Sequence, residues 1–192
     1  MRLAFKEWAV IVDALGAGDQ VVILRKGGIN EGASGFRVDN DRFLLFPTLY
    51  HQQRAMVLPA AQARFDRLAA ALPPADRVRI EFWADVQEWV RLESREAALN
   101  LRGQHVWRDE VIADRFEWGR TKAIYALAVR VFRLPCAVEL PLLPEYGGCK
   151  SWIELGSEIP TDGSVPVLDD PSFGARLDAL RAAWGRPLSV TP

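Results

Sequence analysis

The sequence predicts an α+β (or mixed α/β) fold: a single domain whose mixed β-sheet is flanked by helices. Residues 78–92 alternate, with Val78, Ile80, Phe82, Ala84, Val86, Val90 and Leu92 on one parity and charged residues frequent on the other. That two-residue period belongs to a strand with one covered face. Residues 124–134 are apolar on both parities, as a strand covered on both faces must be. The stripes Phe65, Leu68, Ala69, Leu72 and Phe173, Leu177, Leu180, Trp184 repeat at helical spacing and supply helices to lie on such a sheet.

Taken in order, residues 3–15 fit a helix with Phe5, Trp8, Val12 and Leu15 on one face, or a strand through the central AVIV. Gly16 and Gly18 end the element in either case. Val21–Leu24 is a β-branched run and reads as a buried strand. Gly35–Val38 and Phe43–Phe46 are expected to pair as a hairpin across Asp39, Asn40 and Asp41, whose side chains favour turns. Residues 50–57 suit a short helix, and Pro59 breaks it or starts the next, which runs over 60–72 until Pro73 and Pro74 stop it. The 78–92 run is one bent strand or two joined at Asp85. Ser94 is placed to cap a helix through Leu101, and Arg108–Phe116 is a further helix. Pro135, Pro141 and Pro144 are expected to interrupt regular structure up to Gly147–Gly148. Residues 1–155 then form the core domain, 156–171 a surface connection, and 172–192 carry a terminal helix docked on the same domain.

Charge and composition bound the function. The 192 residues hold 24 Lys plus Arg against 25 Asp plus Glu, a net charge of -1, which argues against a strongly basic nucleic-acid wrapper while leaving room for a local patch. There is no apolar leader and no run of roughly 18 apolar residues, so a cytoplasmic protein with no membrane segment is expected. Cys136 and Cys149 are too few for a disulfide scaffold. With His51 and His105 they have no zinc-ligand spacing, so no metal site is assigned. No GxSxG elbow and no GxGxxG after a strand is present, and no cofactor is named by the sequence.

Three constellations remain. Arg25-Lys26-Gly27-Gly28 closes an apolar strand, and successive glycine N–H groups beside two cations suit an anion such as phosphate, although the full P-loop spacing is missing. On this reading Lys26 is a recognition cation dispensable for folding, and the alternative is a tight turn with solvated cations. Lys26, Glu31 and His51, if they meet in one cleft, supply an electrostatic stabiliser, a carboxylate base or metal ligand, and a proton shuttle for phosphodiester chemistry. Arg115, Arg120 and Lys122, interspersed with Trp107, Phe116 and Trp118, have the cation and aromatic content of a nucleic-acid stacking surface. Asp109, Glu110, Asp114 and Glu117 allow the plainer reading of a salt-bridged helix. The partner classes are therefore nucleic acid or a phosphorylated ligand, with a cleaving enzyme and a protein-interaction domain as alternatives; the oligomeric state is left open.

With AFKEWA at 4–9, ILRKGGI at 23–29, LFPTLYHQ at 45–52, YALAVRVFRL at 125–134 and GGCKSWIEL at 147–155, the chain resembles the bacterial family called domain of unknown function 1802. The resemblance covers roughly residues 3–155 and implies membership of a group of small cytoplasmic proteins. It implies no particular activity.

Overall fold

The doubly apolar run at 124–134 needs cover on both faces, and it becomes an interior strand of the sheet, paired along both edges. The computed structural model describes residues 1–26, 41–49, 54–71, 73–148 and 150–185, together with the backbone of 31–32 and 35–36. In chain order the elements are β1 (Leu3–Trp8), α1 (Ala9–Gly16), β2 (Val22–Arg25), β3 (Glu31–Gly32), β4 (Gly35–Phe36), β5 (Arg42–Thr48) and α2 (Pro59–Ala70). They continue with β6 (Arg77–Leu92), α3 (Arg95–Leu99), α4 (Asp109–Glu117), β7 (Ile124–Pro141), β8 (Trp152–Glu154), β9 (Val165–Pro166) and α5 (Asp170–Ala183). Single 3₁₀ turns occupy Arg54–Met56 and Pro144–Tyr146. The result is a single α+β domain around a mixed sheet.

Seven strands form the main sheet in the order β2-β7-β6-β5-β1-β8, with β9 also on β7. Among the described residues only β1 and β5 pair in parallel, Ala4 opposite Leu44 through Trp8 opposite Thr48; the other pairings in this sheet are antiparallel. Alternation along β1 and β5 divides their side chains between two cores. Phe5, Phe43 and Leu45 enter the larger one, with α1, α4 and α5, while Ala4, Leu44 and Phe46 enter a smaller one with Ile153 and Tyr146.

The 78–92 run is one strand, bent by register shifts between Ile80 and Phe82 and between Val86 and Glu88. The first bend explains why Val78 and Ile80 lie in the smaller core while Phe82 and Ala84, of the same parity, lie in the larger one. Strand β7 extends through Pro135, which was expected to stop it. Proline costs a ladder only where its missing N–H is needed, and Pro135 falls in the shift between the pairs Phe82–Arg133 and Ile80–Val138.

Three further expectations are corrected. Residues 3–15 are a strand followed by a helix: Phe5 packs from β1, and AVIV opens α1, where Val10, Ile11 and Val12 are buried. The hairpin expected between 35–38 and 43–46 does not form, because β4 pairs with β3 and β5 takes β1 and β6 as partners. Those partners occupy both edges of β5 and leave neither for a local hairpin. Helix α2 ends at Ala70 rather than at 72, while Pro59 starts it as one of the two expected roles had it.

Other local rules act as read. Ser94 Oγ accepts from Ala97 N at 3.0 Å and caps α3, which ends at Leu99. Asp169 caps α5 by accepting from Ser172 N at 2.8 Å, and Phe173, Leu177, Leu180 and Trp184 join the larger core. Gly18 adopts φ +74° after α1, against Leu168, and gives the turn its left-handed residue. Among the described residues no helix is long and apolar enough to cross a membrane.

Candidate functional site

Charged side chains normally stay in water, so the informative ones are those that fold inward. Glu7 is such a residue. It shares a β1 face with Phe5 and is only 4% exposed, and its Oε1 accepts from Trp8 N at 2.8 Å. Two arginines act electrostatically on this carboxylate and on each other: Arg25, at the end of β2, and Arg115, on α4.

Arg25 lies over the Phe5 ring, 4.6 Å from its centroid, and donates through Nη2 to Ser151 Oγ beside β8. Its Nε is buried and has no acceptor among the described residues. Burial pulls its guanidinium below the ordinary arginine value, Glu7 opposes that shift, and Arg115 adds to it. Arg115 lies between Trp8 and Trp107, at 5.0 and 4.8 Å from their centroids, and donates to Leu24 O at 3.2 Å. Burial lowers its pKa too, with Glu7 acting in the other direction. A flat guanidinium can stack face to face on an aromatic ring, which an ammonium cannot do although it too is drawn to the ring face.

The strap carrying Trp107 is fixed from two sides. Buried Gln20 donates to Val22 O at 2.9 Å and accepts from Val106 N at 3.1 Å. Leu58 N donates to Val106 O, and Arg108 N to Met56 O. His105, 5% exposed on the same strap, is held neutral: burial drives its pKa down to about 4. Trp107 itself is fully buried.

Lys26 follows Arg25 and closes the other side. Its ammonium donates to the carbonyls of Phe116 and Thr121, at the end of α4 and in the loop beyond it, and lies 5.6 Å from the Phe116 ring centroid. Its pKa is lowered by burial and by neighbouring Lys122, against a raising effect of Glu117. Lys122 pairs with Glu117 at 3.2 Å. Lys26 is thus a tie within the fold as well as a cation, a role its sequence position did not reveal.

The sequence-singled residues Arg25, Lys26 and Arg115 therefore converge, and Lys122 lies within electrostatic reach of Lys26. Arg120 is exposed on the same loop. Of the aromatic residues expected to interleave with these cations, Trp107 and Phe116 are core, while Trp118 is 73% exposed. Gly27, Gly28 and His51 lie outside the described residues, and Glu31 is described by its backbone pairing to Phe36 alone. Cys136 is exposed, and Cys149 lies outside the described residues. Among the described residues no group of three or more His, Cys, Asp or Glu is arranged to hold a metal ion.

Sequence reasoning missed Glu7 and the Trp8 stack. The available signal was parity: if 3–8 is a strand, Glu7 must share a face with Phe5, and an acid on a buried face calls for cations.

No curated protein matches the chain in sequence. Among solved structures, the chain is similar to the crystal structure of ASCH from Zymomonas mobilis, at 12% identity and a TM-score of 0.47, covering 93% of this chain and 94% of that one. It is likewise similar to a mutant ZmASCH protein from the same organism, at 13% identity and a TM-score of 0.47, covering 80% and 88% of the two chains. At this level of similarity nothing about activity passes from those proteins to this chain. A family match covers residues 4–179, reaching past the sequence resemblance and into α5. The chain belongs to the family described as Domain of unknown function (DUF1802).

Proposed function

We propose that the protein is a binding module for phosphate-bearing chains, nucleic acid foremost, engaged through the cations gathered at the end of β2. The observation that carries this reading is that Arg25 and Arg115 meet at Glu7, the one buried carboxylate among the described residues, while Lys26, next to Arg25, is held at the end of the same helix α4. Partly desolvated cations in excess of their carboxylates are repaid by an incoming anion, and guanidinium groups match phosphate oxygens in pairs. The sequence places Gly27 and Gly28 directly after Lys26, where backbone N–H groups would add to the same attraction.

Trp118 favours nucleic acid over a lone phosphate. Its exposed ring sits between α4 and β7 on a loop tied down by Lys26, with exposed Arg120 and Lys122 beside it in sequence. An unpaired base stacks on such a ring while its phosphates meet the cations.

The test is a titration of a labelled short single strand, with a duplex of the same sequence in parallel, at low and high salt. Binding should weaken steeply as salt rises, since cations that neutralise phosphates release counterions. Trp118→Ala should weaken the single strand about tenfold or more, as loss of one stacked base does. No association of DNA or RNA, single- or double-stranded, at about 50 mM salt would reject the reading.

A further inference from the structure

A concave region lies between α1, the end of α2, the start of β6 and the 142–147 segment, and it shares no lining residue with the Glu7 cluster. It encloses about 680 Å³, within the size range of small-molecule sites. Its floor is apolar, formed by Val12, Phe46, Leu68, Val78, Phe82 and Tyr146. Pro47, Pro73, Pro74 and Pro144 line it too, and their fixed φ angles stiffen the wall.

The charged residues of its lining are unbalanced. Lys6, Arg67, Arg77, Arg79 and Arg133 face it against Asp13 and Glu81. Most of these cations have internal work. Lys6 donates to Tyr146 O and Gly148 O at 2.7 and 2.9 Å. Arg67 pairs with Asp13 at 3.0 Å, and Arg79 with Glu81 at 2.6 Å. Arg133 lies over Phe82, donates to Gly16 O at 3.1 Å and stands 3.6 Å from Glu81. Arg77 is exposed at the mouth and has no ion-pair partner among the described residues.

We propose that this groove binds a small organic anion, with an apolar ring or chain body on the floor and one anionic head group at Arg77. The apolar floor supplies attraction without direction, and the excess of cations selects the sign of the head group. A carboxylate, sulfonate or phosphate meets the same requirement. A neutral analogue keeps the floor contact and loses the charge-assisted bond.

The experiment compares two fluorophores with the same anilinonaphthalene body, 1-anilinonaphthalene-8-sulfonate and the uncharged N-phenyl-1-naphthylamine. The sulfonate should bind about tenfold more tightly, the worth of one hydrogen bond to a charged group. Arg77→Gln should erase that preference and leave the neutral probe unchanged. Ala71→Trp, on the exposed lip, should abolish binding of both probes; Leu142→Trp on the facing side is the second blocking variant, should the first fail to fold. Urea unfolding checks each variant, since a loosened core would itself bind the dyes. Equal affinity for the two probes, no binding of either, or unchanged binding in the folded blocking variants would overturn the proposal. An oligonucleotide that displaces the sulfonate would overturn it as a separate site; unchanged probe binding at saturating oligonucleotide is the expected result.

Discussion

At the β2 end, Arg25 rests on Phe5, Arg115 lies between two tryptophan rings, and Lys26 holds two carbonyls. Along the groove, by contrast, Arg77 stands exposed with no ion-pair partner among the described residues. Both regions are rich in cations, but where Arg25, Lys26 and Arg115 are all built into the packing, the groove adds Arg77, a rim cation that is not. A cation inside the packing holds elements together and presents charge at once, so its removal affects stability and binding together. A cation on a rim is read by a ligand alone, so the two measurements separate. The comparison predicts a graded series of variants.

The largest expected effect is at Arg115. Arg115→Met keeps much of the side-chain volume but leaves Glu7 buried with one cation fewer, and should cost about 3 kcal/mol in urea unfolding. A loss below about 0.5 kcal/mol, the size of an ordinary surface change, would place Arg115 with the rim cations.

Next comes acidification. The pKa of His105 is lowered by folding, from 6.5 to about 4, so across that window the unfolded chain holds a proton that the folded chain lacks. Stability is therefore fully present above pH 6.5 and is lost as pH falls towards 4, by roughly 3 kcal/mol for this shift. His105→Phe should remove that part of the acid sensitivity. Identical pH profiles for the two proteins would show that His105 carries none of it.

Gly16→Ala should cost about 2 kcal/mol by overpacking, because the added Cβ would lie 2.2 Å from Phe82 Cζ. Phe82→Leu in the same chain should return part of that loss, and a double-mutant cycle measures how much. This variant acts where α1 meets the groove wall, so it also reports how firmly that wall is set.

Lys26→Ala should cost roughly 1 kcal/mol through its lost carbonyl bonds, and should also weaken oligonucleotide binding. Loss of binding with unchanged stability would restore the view of Lys26 as a purely external cation. Smallest of all, Arg77→Gln should change unfolding by less than about 0.5 kcal/mol, as an exposed residue does. Its effect belongs to the probe titration.

The sequence disclosed those features that depend on near neighbours or on a long period. The alternation at 78–92, the double cover at 124–134, the Ser94 cap and the apolar stripe of α5 each follow from one residue's preferences or from a repeated spacing. The boundary at Trp8 and Ala9 was hidden because Phe5 belongs to strand spacing while Val12 and Leu15 belong to helix spacing, with no capping side chain between them. The pairing of β5 was hidden because Ala4 meets Leu44 across the chain, and no local rule encodes such a partner.

The candidate site was half legible for the same reason. Arg25, Lys26 and Arg115 stood out by type and position, but Glu7 acquires its meaning from Arg25 and Arg115, 18 and 108 residues further along the chain. Trp107 and Phe116 are as aromatic as Trp118 in sequence. Only packing separates the two core rings from the one offered to solvent.

The place of β1 in the sheet has a consequence for synthesis. This strand occurs at residues 3–8, yet one of its two neighbours is β8 at 152–154, where Leu3 meets Glu154. As a ribosome releases the chain in order, β1 gains β5 early, while its other edge keeps unpaired N–H and C=O groups until most of the remaining residues have emerged. An open edge of that kind is the part of a nascent sheet on which another chain can pair. Closure by β8 comes late in synthesis, so this edge of β1 stays open through most of the growth of the chain.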